Sequence, residues 1–206
     1  MKTSTRILAS VLLVAGLAAA CSKQAEQTAY DKQEANIDKF VEDQLKKDAT
    51  ATVTYKEGTV RIVLHDTLHR EGILADTLRY GGNVSFHYAG YTLTGSGVSN
   101  ANLFATNHKK TADAAGWKLS DTTAFNIMTL TLDDRLLDGL QRGLEGVRGQ
   151  DECYILFSGK YAYGSRIQGT IPARSALVYH IWVSSISNQK LFARPVSVLP
   201  KPMPKL

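Results

Sequence analysis

Two tyrosines, Tyr161 and Tyr163, stand two residues apart in the sequence GKYAYG, between Gly159 and Gly164. A phenol offers an apolar ring and a hydroxyl that can donate a hydrogen bond, so such a pair suits the wall of a binding pocket. The alternative is the end of a β-strand, where alternation would place both rings on one side and Ala162 on the other. The rest of the chain must decide between these interpretations.

The other residues that could do chemistry are scattered. His65 and His69 are four apart, but on an expected strand-to-turn segment this spacing does not form a metal-binding face. Asp133 and Asp134 open a leucine-rich stretch and are better explained as helix-capping residues than as a catalytic pair. The segment SGKYAYGS lacks the residue order of a phosphate loop. We therefore expect no metal, cofactor or nucleotide site.

The first 21 residues predict export. Lys2 and Arg6 precede an apolar run over residues 7–20, which is too short to span a bilayer and is typical of a signal peptide. The small residues directly before Cys21 resemble a bacterial lipobox, in which the cysteine is lipidated and becomes the first residue. Ordinary cleavage that leaves a free thiol is the alternative. We expect a protein anchored by lipid to the bacterial cell envelope, on the periplasmic side or at the outer membrane.

Net charge and cysteine content bear on two further possibilities, nucleic-acid binding and disulfide formation. Removal of the leader with Lys2 and Arg6 lowers the net charge from +5 to about +3, which does not favour a nucleic-acid-binding protein. With Cys21 assigned to the lipid, Cys153 has no partner for an intramolecular disulfide. Alternation in DECYILFSG places Cys153 opposite Tyr154, so we predict a buried core thiol.

Periodicity predicts the elements between the two ends of the chain. Residues 22–28 are polar and predict a flexible tether. Residues 30–48 predict an amphipathic helix that packs on the domain that follows. Its apolar face consists of Tyr30, Ile37, Phe40, Val41 and Leu45.

From residue 51 the pattern is that of strands, in ATVTY, GTVRIVLHD, NVSFHYAGYTL, ECYILFSGKYAYG and SALVYHIWVSSI. Residues 94–123 carry few strand signals and predict a long surface excursion. A short helix is predicted in TLDDRLLDGLQRGLEG, with Asp133 capping its start. Its apolar face would consist of Leu136, Leu137, Leu140 and Leu144. The tail ARPVSVLPKPMPKL holds four of the five prolines and predicts an extended or disordered segment.

The chain thus divides into a signal peptide (1–21), a tether with a helix (22–50), an α+β domain (51–188) and a proline-rich tail (189–206). Within the domain, the segments VSFHYAGY, LFATN, LLDGLQRGLEGV, KYAYG and IPARSALVYHIWV occur in an order and spacing that resemble an FKBP-type peptidyl-prolyl isomerase domain. The resemblance covers residues 55–186. It implies a curved antiparallel sheet wrapped around one short helix, with the ligand pocket between them.

The resemblance also implies an activity, site residues and partners. The implied activity is isomerisation of X-Pro bonds, the implied partners are proline-containing polypeptides, and no cofactor is implied. The Tyr163 hydroxyl and the Leu137 backbone N–H would contact the substrate carbonyl groups, with Phe104 beside them, while Tyr161 would be mainly structural. The remaining pocket positions would be Tyr88, Leu136, Leu140, Ile171 and Tyr179.

Two residues depart from the pattern of that family. Ala105 stands where an aspartate usually follows the phenylalanine, and Leu140 stands where a tryptophan usually forms the pocket floor. A further aromatic normally precedes the helix, and both Phe125 and Ile127 are candidates. These departures leave a catalytically weak binding or chaperone module open as an alternative, and a purely structural lipoprotein as a third. Leu199-Pro200 in the tail is also a hypothetical ligand of the chain's own or a neighbour's pocket.

Overall fold

The computed structural model describes residues 3–65, 76–118 and 121–188, with side chains from residue 24 onward. The side chain of Cys21, all of His69, and the tail with Leu199 and Pro200 lie outside the described residues. No helix among the residues described with side chains is long and apolar enough to cross a membrane.

The N-terminal helix α1 runs from Thr3 to Lys47. Residues 22–28, predicted as an irregular tether, are therefore helical, and local bonds such as Thr28 Oγ1 to the Gln24 carbonyl (2.9 Å) accompany the helix there. The predicted apolar face packs on the domain, since Tyr30, Ile37, Phe40 and Val41 are all at most 6% exposed. Leu45 was expected on the same face but lies 41% exposed in the last turn.

Seven strands follow, each rich in β-branched or aromatic residues. They are β1 (Thr52–Lys56), β2 (Thr59–Leu64), β3 (Asn83–Thr92), β4 (Leu103–Thr106), β5 (Met128–Thr131), β6 (Glu152–Phe157) and β7 (Leu177–Ser187). Two further helices are short, α2 (Lys109–Ala114) and α3 (Asp138–Leu144). The strands form one antiparallel sheet in the order β1-β2-β6-β7-β3-β4, and β5 pairs with the first half of β3. The predicted α+β fold, an antiparallel sheet with a short helix and an N-terminal helix, is confirmed.

Alternation along the central strands gives the sheet two apolar faces. In β7, Leu177, Tyr179, Ile181 and Val183 face α3, whereas Val178 joins a second cluster with Ile37, Phe40 and Val41 of α1. In β6, Cys153 lies on the α3 face and Tyr154 on the α1 face. The prediction that Cys153 is buried is confirmed, because its exposure is 0%. The sheet is therefore covered by α3 on one side and by α1 on the other.

Two glycines let α3 lie close to the sheet. A Cβ at Gly139 would come within 2.1 Å of the Phe157 ring, and one at Gly143 within 2.1 Å of Ile155 Cγ2. Arg61 of β2 then secures the end of the helix, donating from Nη1 to the carbonyl groups of Gly143 (3.0 Å) and Glu145 (2.5 Å). The position of α3 is thus fixed by side-chain volume and by hydrogen bonds.

Two predicted elements need correction. The region 94–123 contains a strand, β4, which at four residues is too short to show alternation in the sequence. Helix α3 begins at Asp138 with Leu137 as its N-cap residue, so Leu136 and Leu137 precede the helix. Asp133 does not cap it: its carboxylate accepts from the Arg135 backbone N–H at 3.0 Å and pairs with the Arg135 guanidinium. A local turn of this kind competes with helix formation.

Candidate functional site

All eight predicted pocket residues belong to one apolar cluster between the sheet and α3. Five are buried, with exposures of 1–6%, and three are half-buried at the edge of the cluster. The buried five are Tyr88 on β3, Phe104 on β4, Leu140 on α3, Tyr179 on β7 and Ile171 in the loop before β7. The half-buried three are Leu136, Leu137 and Tyr163. The structure therefore brings together residues from six separate segments of the chain.

Aromatic rings build the centre of this cluster around Tyr179. The Phe104 ring meets Tyr179 edge-on at a centroid distance of 5.8 Å, and Phe157 stacks against it at 6.0 Å. Tyr88 lies 6.4 Å from the same ring. Gly90 makes room for Phe104, because a Cβ at that position would come within 2.6 Å of the Phe104 ring. Contacts of this kind hold large side chains in fixed orientations.

The edge of the cluster carries two hydrogen-bond donors suited to a polypeptide. Leu137 adopts an extended conformation (φ −60°, ψ 138°) just before α3, and its carbonyl accepts from the Gln141 N–H. Among the residues that the structure describes, none accepts from the Leu137 N–H. The second donor is the hydroxyl of half-buried Tyr163. A backbone N–H and a phenol at the margin of an apolar surface can both address substrate carbonyl groups.

The two tyrosines of GKYAYG have different environments. The chain forms a 3₁₀ turn over Gly159–Tyr161, so the alternation expected of a strand end does not apply. Tyr161 fills the space over Gly58 in the β1–β2 turn, and the Arg142 guanidinium of α3 lies 4.9 Å from its ring centroid. Both rings pack against the apolar cluster, but Tyr161 also links a hairpin to a helix.

Burial keeps the phenols of the cluster neutral. It raises the pKa of Tyr88 and of Tyr179 well above the ordinary range, and the proximity of Tyr163 adds to both shifts. Burial also raises the pKa of Tyr163, which the Arg166 guanidinium partly offsets. A phenol that stays protonated remains a hydrogen-bond donor at any physiological pH.

The departures noted in the sequence occupy defined places. Ala105 is 6% exposed and belongs to the apolar cluster, where a carboxylate would lie among aromatic and aliphatic side chains. Leu140 lies at the base of the cluster, 1% exposed. Neither Phe125 nor Ile127 joins the apolar cluster, and Ile127 is 51% exposed. From this segment Met128, at the start of β5, packs against the cluster instead.

A second group of rings, which the sequence did not reveal, lies on the opposite face of the sheet. Trp182 lies against two imidazole rings, stacked with His108 at a centroid distance of 4.0 Å and tilted against His180 at 3.9 Å. His180 also stacks on Tyr154 at 4.2 Å, and its Nε2 lies 2.8 Å from the Glu152 carboxylate. Alternation in YHIWV places His180 and Trp182 on one face, but His108 arrives from a distant loop. No group of three histidine, cysteine or carboxylate side chains in the described part of the chain is arranged to hold a metal ion.

No protein-family model matches the chain, and no curated protein matches it. Among solved structures, the chain is similar to the N-terminal domain of FKBP42 from Arabidopsis thaliana, with 14% identity and a TM-score of 0.47, over 66% of this chain and 93% of that one. It is similar to FkpA from Escherichia coli, with 16% identity and a TM-score of 0.48, over 90% and 73% of the two chains. For the three FKBP domains of wheat FKBP73 the identity is 16% and the TM-score 0.47, over 66% of this chain and 49% of that one. These likenesses assign no activity and no residue role to the chain.

Proposed function

We propose that this chain is a peptidyl-prolyl cis–trans isomerase acting on X-Pro bonds of exported or envelope proteins. The observation that supports the proposal is the meeting of the eight pocket residues in one apolar cluster, with Tyr163, Leu136 and Leu137 at its half-exposed edge. The substrate class comes from the order of motifs along the chain, which resembles that of FKBP-type domains.

The chemistry requires no nucleophile, because no bond is broken. Rotation about an amide C–N bond has a barrier of roughly 18–20 kcal/mol, since twisting removes its partial double-bond character. A site that binds the twisted amide better than either planar isomer lowers that barrier. Apolar walls favour the twisted form, which is less charge-separated than the planar amide.

Each group of pocket residues then has a role. Tyr163 donates from its hydroxyl to a substrate carbonyl, and Leu137 donates from its backbone N–H to another. The proline ring and the residue before it contact the apolar side chains. These are Tyr88, Phe104, Leu136, Leu140, Ile171 and Tyr179.

The test is a cis-to-trans isomerisation assay of the full chain on a Leu-Pro peptide. We expect Tyr163→Phe to lower kcat/KM roughly three- to tenfold, the effect of losing one neutral hydrogen bond. Tyr161→Phe is the matched control, since it removes the same hydroxyl from the neighbouring tyrosine, whose hydroxyl lies over Gly58 of the β1–β2 turn, and should leave the rate unchanged. Equal rates in the wild-type chain and Tyr163→Phe would refute the assignment of the donor.

The second candidate is a binding or chaperone module that binds proline-containing segments without catalysing their isomerisation. Ala105 favours it, because the apolar cluster lacks the carboxylate that the family pattern places there. This candidate predicts that the wild-type chain binds the Leu-Pro peptide with no catalysis, and that Ala105→Asp gains measurable turnover. Catalysis by the wild-type chain would exclude it.

The proposed location is the cell envelope, through lipid on Cys21. Metabolic labelling with a fatty acid should mark the wild-type chain and the Cys153→Ser variant, but not Cys21→Ser. Labelling of Cys21→Ser would show that the lipid, and with it the anchor, is attached elsewhere.

A further inference from the structure

We propose that Gln33 of α1 is a positioning residue for Tyr163, so that the N-terminal helix supports the pocket as well as covering the sheet. This inference rests on the proposed function of the pocket. It begins from one side chain: Gln33 Oε1 accepts from the Gly159 N–H at 2.8 Å, and Gln33 Nε2 donates to the Arg174 carbonyl at 2.5 Å. One amide thus holds the backbones of two loops that flank Tyr163 in the sequence.

Those two loops are joined directly as well. The Arg174 N–H donates across to the Gly164 carbonyl at 2.6 Å, and within the first loop the Gly164 N–H donates to the Gly159 carbonyl at 2.9 Å. A Cβ at Gly159 would come within 2.6 Å of the Arg174 carbonyl carbon, so the backbones are in contact. Tyr163 therefore projects from a small hydrogen-bonded unit, Gly159–Gly164 with Arg174, and Gln33 lies across it.

This unit contains a residue that needs support. Arg174 has φ +58°, the left-handed region that residues with a side chain rarely adopt. Such a conformation persists where surrounding contacts determine it. The bond from Gln33 Nε2 to the Arg174 carbonyl is one of these contacts, and the bond from the Arg174 N–H to the Gly164 carbonyl is another.

Helix α1 can hold Gln33 in a fixed position, because the helix packs on the domain on both sides of this residue. Tyr30 and Ile37, one turn to either side of Gln33, are 6% and 3% exposed and fix that face of the helix against the domain. Glu26 adds a peripheral link, accepting from the Tyr30 hydroxyl at 2.9 Å and lying 3.4 Å from Arg174 Nε. An exposed ion pair of that kind contributes little, so the amide of Gln33 is the principal polar tie.

The chemistry of the tie requires an amide. Gly159 offers a donor and Arg174 an acceptor, and glutamine supplies one of each. Glutamate could still accept from the Gly159 N–H, but it would set a second acceptor against the Arg174 carbonyl. Methionine keeps nearly the same length and removes both bonds. These two substitutions separate the halves of the contact.

The experiment measures the loop and the catalysis separately in the full chain. In Gln33→Met we expect amide hydrogen exchange at Gly159 to accelerate roughly tenfold while the urea midpoint of unfolding stays close to that of the wild type. We expect kcat on the Leu-Pro peptide to fall several-fold with KM little changed, because the Tyr163 hydroxyl is no longer held where the twisted amide needs it. Gln33→Glu should restore slow exchange at Gly159 and recover part of kcat.

The control is Gln27→Met, on the same helix, where the exposed amide donates to Asp31 within α1. It should change neither exchange nor rate. Unchanged Gly159 exchange in Gln33→Met would overturn the inference, as would a loss of kcat that Gln33→Glu does not reverse or that follows a general loss of stability. If the wild-type chain has no isomerase activity, the proposed function fails, and the inference is then decided by Gly159 exchange and by the NMR shift of the Tyr163 ring in Gln33→Met. A shifted ring with faster exchange supports it, and an unshifted ring refutes it.

Discussion

Cys153 shows how strongly the interior controls the chemistry of a single residue. Its thiol is fully buried in β6, and burial raises its pKa to about 12. Because the thiolate is the reactive form, the native thiol is both inaccessible and protonated. The native fold therefore keeps this thiol away from solvent and in its less reactive, protonated form.

We expect Cys153 to resist thiol reagents until the chain unfolds. In the Cys21→Ser variant at pH 8, modification by a disulfide reagent should be at least about a hundredfold slower in buffer than in urea, where the thiol pKa returns to about 8.5. Modification at the same rate in both conditions would contradict the buried position. Tryptophan fluorescence recorded in parallel would confirm that the chain in buffer is folded.

At the scale of the element, the position of α3 depends on two missing side chains. Gly139 and Gly143 lie one turn apart, over Phe157 and Ile155 of β6. Closer approach of the helix lowers Leu140 into the base of the pocket cluster. The glycines thus connect helix packing with the shape of the proposed site.

We predict that Gly143→Ala destabilises the protein by about 1–3 kcal/mol. Its methyl group would come within 2.1 Å of Ile155 Cγ2, and the loss should appear even though alanine favours a helix over glycine by about 1 kcal/mol. Gly149→Ala is the control, because its methyl would meet nothing closer than 4.0 Å. Urea unfolding measures both, and a Gly143→Ala variant as stable as wild type would show that the helix can move away.

The elements that sequence patterns predicted are those with a regular apolar period. Alternation identified β3, β6 and β7, and helical spacing identified the buried face of α1. Three features were not predicted: β4 has only four residues, the start of α3 is shifted by the turn at Asp133, and the polar residues 22–28 continue α1 without an apolar period. Gln33 interrupts the apolar face of α1 between Tyr30 and Ile37, which is a signal that a sequence reading can find but cannot interpret without the loops it contacts.

At the scale of the molecule, the stability of the protein should depend on pH through two residues of the ring group around Trp182, His108 and Glu152. Burial lowers the pKa of His108, assisted by His87, His180 and Lys110 and opposed by Glu152. The contact with His180 lowers the pKa of Glu152. Both shifts mean that the native state takes up protons less readily than the unfolded chain.

We therefore predict that stability falls as the pH drops. The contribution of His108 is complete above its ordinary pKa of about 6.5 and is lost as the pH falls below that value; that of Glu152 is lost below about 4.3. The urea midpoint should accordingly be lower at pH 5.5 than at pH 7.5. His108→Gln should flatten this dependence. A midpoint that does not change over this interval in the wild type would contradict the prediction.

The continuity of α1 has a mechanical consequence for a chain lipidated at Cys21. Cys21 and Gln33 lie on the same unbroken helix, twelve residues apart. At 1.5 Å per residue they are separated by about 18 Å along one stiff rod. The helix would then fix the distance between the acyl chains and the proposed pocket support, and so limit how far the turn that carries Tyr163 can stand from the bilayer.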